Sequence, residues 1–298
     1  MIFVYIFIFL RTTKNAGMSY TDFEDVIFKS KGVIYGGYVR DTMIANYYES
    51  LFIANNNVDS TLTINRMVKP KDIDVYFNTK DEAEKFIEKL SEYGDVIKKV
   101  SYEIQYSGMF REVDHKTIEL VKNEMSFLFD ISYPFSNMES VMFHIEPPFY
   151  NLDMLCNGFI MDINGTRYSE CTGTYLDKLE GSERTKEIRE ITYDIYKFNT
   201  HLTSYGMTKA NEPYIALRVI KMMKRVFPWV ILNAPFQVIK HYIKNDCCNC
   251  CGTKLRYNSI LFKDRLFETN CFLSNLEYHA KRHDYKIMCG TKHVVKFV

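Results

Sequence analysis

The chain has 298 residues, of which 47% are hydrophobic and 25% are charged. This composition is typical of soluble globular proteins and excludes a chain that is mainly embedded in a membrane. The length allows two domains of ordinary size.

The formal net charge of +1 combines two parts of opposite sign. Residues 214–298 contain 15 lysines and arginines but only 5 aspartates and glutamates, a net charge of +10, so the rest of the chain carries −9. A basic segment of this size suits contact with a polyanion such as RNA. A basic surface that faces solvent without a partner is the alternative.

The first ten residues are apolar, but they are too few to span a bilayer as a helix. They also lack the basic start and the small-residue cleavage site of a signal peptide. We therefore expect a cytoplasmic protein that has no membrane partner. This segment could be an edge strand. Alternatively, the functional start is Met18, because residues 21–24 just after it have the form of a helix capping box.

The first predicted elements are a helix over 21–30, a strand over 32–35 and a helix over 39–52. Gly36 and Gly37 separate the strand from the second helix. Two glycines let the backbone turn tightly and approach a phosphate closely. The N–H groups at the start of the following helix would point at that anion. The segment therefore has the features of a phosphate-binding turn.

A second motif places two acidic residues in an apolar run. Asp72 and Asp74 belong to a predicted strand that ends at Phe77. Because alternate residues of a strand point to the same face, the two carboxylates project together. They repel each other, and a divalent cation is the usual relief. A phosphate-binding turn beside such a pair is suited to phosphoryl or nucleotidyl transfer.

Later elements divide the chain into regions. They are a polar loop over 55–60, a helix over 80–93 capped near Thr79, strands over 117–121, 126–131 and 141–145, a break at 147–148, and helices over 180–198, 212–227 and 235–244. Strands first and helices later predict an α+β fold. Its parts are a mixed-sheet catalytic domain over 18–165, a mainly helical C-terminal region over 166–245 and a basic Cys/His-rich tail over 246–298.

The two motifs together resemble those of the polymerase-β-type nucleotidyltransferase superfamily. Residues 36–41 match its Gly-Gly-x-Val-Arg-Asp motif and residues 72–74 match its Asp-x-Asp motif. The residues of the two motifs are most similar to those of CCA-adding tRNA nucleotidyltransferases and bacterial poly(A) polymerases. The resemblance implies a nucleoside triphosphate (NTP) substrate, two Mg²⁺ ions and an RNA acceptor. It also implies that Gly36 and Gly37 hold phosphates.

Arg40 and Asp41 complete the first motif. The resemblance implies that Arg40 reaches a phosphate, and an ion pair with Asp41 or with the acidic pair is the alternative. Asp41 is expected to be a structural residue that fixes the turn.

The superfamily uses a third carboxylate on a neighbouring strand, and Asp130 fits this role. Asp130 is the single charge of the apolar run 127–131, where an unpaired carboxylate would be costly. A metal ion shared with Asp72 and Asp74 would be its partner, and Asp130 could also accept the proton of the attacking hydroxyl. Glu119 is the rival third acid. We expect Asp130 because its flanks are more apolar.

Two later segments extend the resemblance. Asp153 and Asn157 match the Asp-x-x-x-Asn part of the family's Arg-Arg-Asp-Phe-Thr-Ile-Asn motif, and Arg218 matches an arginine of its Glu-Asp-Pro-Leu-Arg-x-Leu-Arg-Ala-x-Arg helix. The resemblance implies that Asp153 and Asn157 contact the nucleotide, and that Arg218 lies near the nucleotide or at the domain junction. Residues 151–152 are Asn-Leu in place of the two arginines, and Ile215 replaces the arginine that reads the base. The family's choice of CTP and ATP is therefore not expected here.

Six of the eight cysteines lie in the C-terminal tail. Two Cys-x₂-Cys pairs, His279-x₃-His283 and Cys289-x₃-His293 have the spacing of metal ligands, which predicts a structural Zn²⁺ site whose ligand set is open. Reduced thiols without a metal are the alternative. Disulfides are not expected because nothing indicates secretion.

The sequence as a whole favours a metal-dependent enzyme that transfers nucleotides from an NTP to an RNA acceptor. Two alternatives stay open: a non-catalytic relative that binds nucleotide or RNA without turnover, and nucleotidyl transfer to a protein or small molecule. The complete set of three carboxylates favours catalysis, and the basic C-terminal segment favours a nucleic-acid acceptor.

Overall fold

The computed structural model describes residues 19–54, 68, 70–104, 113–122, 125–134 and 146–203, together with shorter C-terminal segments. Those segments are 218–219, 221–223, 225, 227, 229–233, 237–239, 259–262 and 265–268. The predicted loop over 55–60, the predicted strand over 141–145, Ile215, and the cysteines and histidines of the tail lie outside the described residues.

A seven-stranded mixed sheet organises the N-terminal part of the chain and confirms the predicted α+β class. Its strands are β1 Val33–Tyr35, β2 Ile73–Tyr76, β3 Asp95–Ile104, β4 Val113–Lys122, β5 Met125–Pro134, β6 Phe159–Asp162 and β7 Gly165–Tyr168. They lie in the order β3-β4-β5-β2-β1-β6-β7. Neighbouring strands are antiparallel except β2 and β5, which are parallel. The predicted strands over 32–35, 117–121 and 126–131 are thereby confirmed.

The principal helices also follow the prediction closely. They are a 3₁₀ turn over Tyr20–Phe23 that continues as α1 Glu24–Lys29, then α2 Gly37–Ala54, α3 Lys80–Leu90 and α4 Gly181–Tyr196. The predicted cap of α3 is present, since Thr79 Oγ1 accepts a hydrogen bond from the backbone N–H of Glu82. In the part of the chain that the structure describes, no helix is both long enough and apolar enough to span a bilayer.

One face of the sheet is apolar and carries the core. Ile73 and Val75 of β2 and Phe129 of β5 are fully buried on this face. Phe23 and Phe86, from the elements around α1 and α3, pack edge-to-face on Phe129. The two helices therefore cover this face, and the alternating residues of β2 and β5 point to the opposite one.

The C-terminal region contains short strands beside its helices, and one predicted helix differs from the structure. The strands β8 Asn199–Thr200 and β9 Val230–Ile231 pair in parallel, and β10 Gln237–Ile239, β11 Ser259–Phe262 and β12 Arg265–Glu268 form a three-stranded antiparallel sheet. The helix predicted over 235–244 is thus wrong where β10 lies. Val238 and Ile239 are β-branched and favour a strand once β11 is available as a pairing partner. The described part of the predicted helical region, 166–245, thus contains α4 and the helical residues 218–219 and 221–223 together with short strands.

Candidate active site

The register of the central strands places acidic residues side by side. Asp74 of β2 is the direct partner of Asp130 of β5, and on its other side Asp74 pairs with Tyr35 of β1. Asp130 pairs in turn with Thr117 of β4. Directly paired residues on neighbouring strands point to the same face, and neighbouring strands are about 4.8 Å apart. The carboxylates of Asp74 and Asp130 therefore project together from the polar face of the sheet.

Asp74 lies in an environment that opposes its charge. Burial, together with the negative charges of Asp72 and Asp130, raises the pKa of Asp74 from 3.8 to about 7. The positive charges of Arg218 and Lys221 act in the opposite direction. A carboxylate that two neighbouring acidic residues repel in this way belongs to a site that a cation would stabilise.

Asp130 is better placed than Glu119 to complete this site. Its Oδ1 accepts a hydrogen bond of 2.7 Å from Thr117 Oγ1, which fixes the orientation of the carboxylate. Glu119 lies opposite Leu128 rather than opposite an acidic residue, and its Oε1 accepts a 2.6 Å hydrogen bond from Ser126. The geometry thus favours Asp130 as the third acid.

Gly36 is the glycine on which the turn depends. It has a φ of +71°, and a Cβ atom at this position would lie 3.1 Å from Oδ2 of Asp74. A side chain here would strain the backbone and displace the carboxylate. Gly37 is the first residue of α2 and has no such conflict, because a Cβ there would lie 3.5 Å from Arg40 Nη2. The turn brings the start of α2 beside Asp74.

Two cations of the C-terminal region face the carboxylates. Arg218 and Lys221 are three positions apart in the helical residues 218–219 and 221–223, so they lie on the same side of that helix. Both charges act on Asp74, and the Arg218 side chain is 52% exposed. The site therefore combines acidic groups with positive charges that a triphosphate would need.

Arg40 takes the second of the two roles left open by the sequence. It is 2% exposed, its Nε donates a 2.8 Å hydrogen bond to Asp41, and its Nη1 donates a 2.6 Å hydrogen bond to Asn157. Its guanidinium also lies 5.2 Å from the centre of the Trp229 ring. Arg40 is thus held inside the protein in an ion pair with Asp41.

The other residues that the resemblance assigned to the nucleotide belong to the same buried network. Asn157 Nδ2 donates a 3.2 Å hydrogen bond to Asp153 Oδ1. Asp153 Oδ2 lies 2.6 Å from Arg218 Nε, in an ion pair without hydrogen-bond geometry. Asp153 and Asn157 are buried. They connect Arg40 to Arg218. Among these four linked residues, Arg218 is the one whose side chain is substantially exposed.

Two further residues of this buried network, Arg225 and Trp229, were not predicted from the sequence. Arg225 Nη1 lies 2.9 and 2.8 Å from the two carboxylate oxygens of Asp41, which is 3% exposed and has the structural role expected for it. Trp229 is buried against Arg40. The local sequence around Arg225 does not indicate its partner, because Asp41 is 184 positions away.

The acidic side chains of the site fit the implied Mg²⁺ ions in one mode of binding. Within the described residues, no three Cys, His, Asp or Glu side chains converge into a ready-made metal cluster. Mg²⁺, however, is usually bound by one or two carboxylates, substrate phosphates and water rather than by an all-protein cage. The adjacent carboxylates of Asp74 and Asp130, together with the raised pKa of Asp74, fit that mode of binding. The residues of the predicted Zn²⁺ site lie outside the described residues.

No protein-family model and no curated protein sequence matches the chain. A function proposed for this protein therefore depends on the residues and the geometry of the site.

Proposed function

We propose that the protein is a metal-dependent nucleotidyltransferase that transfers a nucleotide from an NTP to a hydroxyl group of an RNA acceptor. The observation that carries the proposal is the direct pairing of Asp74 with Asp130 on parallel strands, beside the turn at Gly36. A dicarboxylate that needs a cation, next to a helix start that suits a phosphate, is the minimum arrangement for this chemistry.

The reaction replaces the phosphoanhydride bond at the α-phosphorus by a phosphodiester bond to the acceptor. The oxygen of the acceptor hydroxyl forms a bond to the α-phosphorus, and the bond from that phosphorus to the oxygen bridging it to the β-phosphorus breaks. Pyrophosphate leaves with the bonding electron pair, and Asp130 or solvent accepts the hydroxyl proton. Mg²⁺ held by Asp74 and Asp130, with the carboxylate of Asp72 as a further candidate ligand, would supply charge neutralisation and a lower pKa of the attacking hydroxyl.

The chain's own groups would hold the triphosphate. The turn at Gly36 and Gly37 presents the first N–H groups of α2, where the helix dipole favours an anion. Arg218 and Lys221 supply two positive charges near Asp74. These groups would orient the α-phosphorus toward the carboxylates, and their positive charge would offset part of the negative charge of the triphosphate.

A second candidate function is nucleotide or RNA binding without turnover. The observation that favours it is the inward position of Arg40, Asp153 and Asn157, which leaves fewer side chains for the nucleotide than the resemblance implied. The adjacency of Asp74 and Asp130 favours catalysis, because a binding protein has no need of two repelling carboxylates.

The decisive experiment is incubation with Mg²⁺, each labelled NTP in turn and a mixed RNA pool, followed by sizing of the products. We expect extension of RNA by the parent protein and its loss in Asp74→Asn. Asp95→Asn, a change of the same kind at an exposed position on β3, is the matched control and should act like the parent. Binding of NTP without product from the parent would establish the second candidate instead.

The nature of the acceptor can be tested through salt. Residues 214–298 carry a net charge of +10, so RNA binding through them should weaken steeply as salt rises, because phosphates release counterions when they are neutralised. Affinity is measured at several salt concentrations for the parent and for a chain truncated before Cys247. Labelling of a protein or a small molecule, with salt-independent activity, would point to the third possibility, a non-nucleic-acid acceptor.

A further inference from the structure

The hydroxyl of Tyr20 lies between the two strands that carry the carboxylates. Its oxygen is 2.5 Å from the carbonyl oxygen of Lys71, to which it donates, and it accepts a 3.1 Å hydrogen bond from the backbone N–H of Leu128. Lys71 directly precedes Asp72, and Leu128 is two residues before Asp130. One atom therefore joins the backbones of both acidic segments.

This contact lies where the strand ladder has not yet begun. The first parallel pair of β2 and β5 is Ile73 with Phe129. The carbonyl of Lys71 and the N–H of Leu128 lie just before that pair, and the Tyr20 hydroxyl bridges these two groups. The Tyr20 hydroxyl takes the place of a ladder hydrogen bond and fixes the distance between the strands next to the carboxylates.

The ring of Tyr20 is held independently of its hydroxyl. It packs edge-to-face on Phe127 at 5.1 Å and on Tyr38 at 6.4 Å. Burial, opposed by the hydrogen bond from Leu128 and assisted by the charge of Asp72, raises the pKa of Tyr20. The hydroxyl therefore keeps the proton that it donates to Lys71.

We propose that Tyr20 is a positioning residue that sets the separation of Asp72 and Asp130. This inference rests on the proposed function, since it is the metal-binding carboxylates that the separation serves. Tyr20 itself lies against the backbone and acts through these two residues.

The test is Tyr20→Phe, which removes one oxygen and keeps the ring contacts. We expect the Leu128 amide to exchange its hydrogen about tenfold faster, in line with the loss of one hydrogen bond. Mn²⁺ should bind several-fold more weakly, and kcat should fall while KM for the NTP changes little. Tyr38→Phe is the matched control, because its hydroxyl donates to Glu24 on α1 instead of to either strand.

Unchanged Leu128 exchange in Tyr20→Phe would overturn the inference, as would equal losses in Tyr38→Phe, which would indicate a general packing effect. Parent-like Mn²⁺ affinity together with faster exchange would also overturn it, since the contact would then hold the strands without affecting the carboxylates. Failure of the proposed function has a different result: Asp74→Asn then binds Mn²⁺ as the parent does. In that case the exchange rate still decides whether the hydroxyl joins the strands.

Discussion

Gly36 and Asp74 show how closely the turn and the acidic site depend on each other. We expect Gly36→Ala to lower the free energy of unfolding by about 1–2 kcal/mol, because the residue must keep a positive φ. The new methyl group would also lie against Oδ2 of Asp74, so Mn²⁺ affinity should fall. Urea unfolding and Mn²⁺ titration measure the two effects.

Gly37→Ala is the control for that prediction. Gly37 lies in the first turn of α2 with ordinary helical space around it, so its replacement should change stability by less than about 1 kcal/mol. Equal effects at both positions would show that the turn does not have the geometry described.

Asp74 predicts an unusual dependence of stability on pH. Its pKa is raised from 3.8 to about 7 in the folded protein, first by burial and then by Asp72 and Asp130. Between these two values the folded protein binds more protons than the unfolded chain, so stability contributed by this group is present below pH 4 and is lost as pH rises through 7.

We therefore expect Asp74→Asn to be more stable than the parent at pH 8 in metal-free buffer, and to match it near pH 4. The thermal midpoint is measured across this range with a chelator present. Asp95→Asn, which is exposed, should show no such trend. A parent that is more stable than Asp74→Asn at pH 8 would contradict the prediction.

At the scale of elements, the parallel pairing of β2 and β5 determines which acidic residue lies beside Asp74. Asp130 pairs with Asp74, whereas Glu119 lies opposite Leu128. We expect Asp130→Asn to weaken Mn²⁺ binding by at least about tenfold, because it removes an oxygen ligand and a charge. Glu119→Gln should change affinity by less than about twofold on the same grounds. The opposite ranking would move the site to β4.

Elements with a strong local pattern were predictable from the sequence. The cap at Thr79 and the spacing of Phe86, Ile87 and Leu90 define α3 within three residues of its observed end. The strand β3 was missed because it is rich in charged residues. The hairpin of β6 and β7 was missed although Asn164-Gly165 is a strong turn pattern.

The candidate site was predictable only in part. The motifs led to Gly36, Asp74 and Asp130, which the structure brings together, since each motif has its own local context. The inward position of Arg40 and Asp153 depends on partners more than 60 residues away, such as Asn157 and Arg218. Such contacts are a property of tertiary packing, and local patterns do not contain them.

At the scale of the whole molecule, Asp41 joins the region of the seven-stranded sheet to the C-terminal region. It is buried and holds both Arg40 and Arg225. We expect Asp41→Asn to lower the free energy of unfolding by about 3–5 kcal/mol, because it leaves the buried Arg40 without its counter-charge. Urea unfolding measures this change.

The matched control for Asp41→Asn is Lys186→Met, which breaks an exposed pair with Glu190 at 4.0 Å. Its effect should be less than about 1 kcal/mol, as for most surface ion pairs. A loss of similar size in both variants would mean that the Asp41 network has no special part in joining the two regions.

Trp229 is the single tryptophan of the chain, and it is 2% exposed where the C-terminal region meets Arg40 and Phe198. An indole emits light of shorter wavelength in an apolar environment than in water. Separation of the C-terminal region from the sheet would therefore shift the fluorescence to longer wavelength, even while the sheet stayed folded. The protein thus contains an unlabelled fluorescent reporter at the junction through which Arg218 and Lys221 reach the carboxylates.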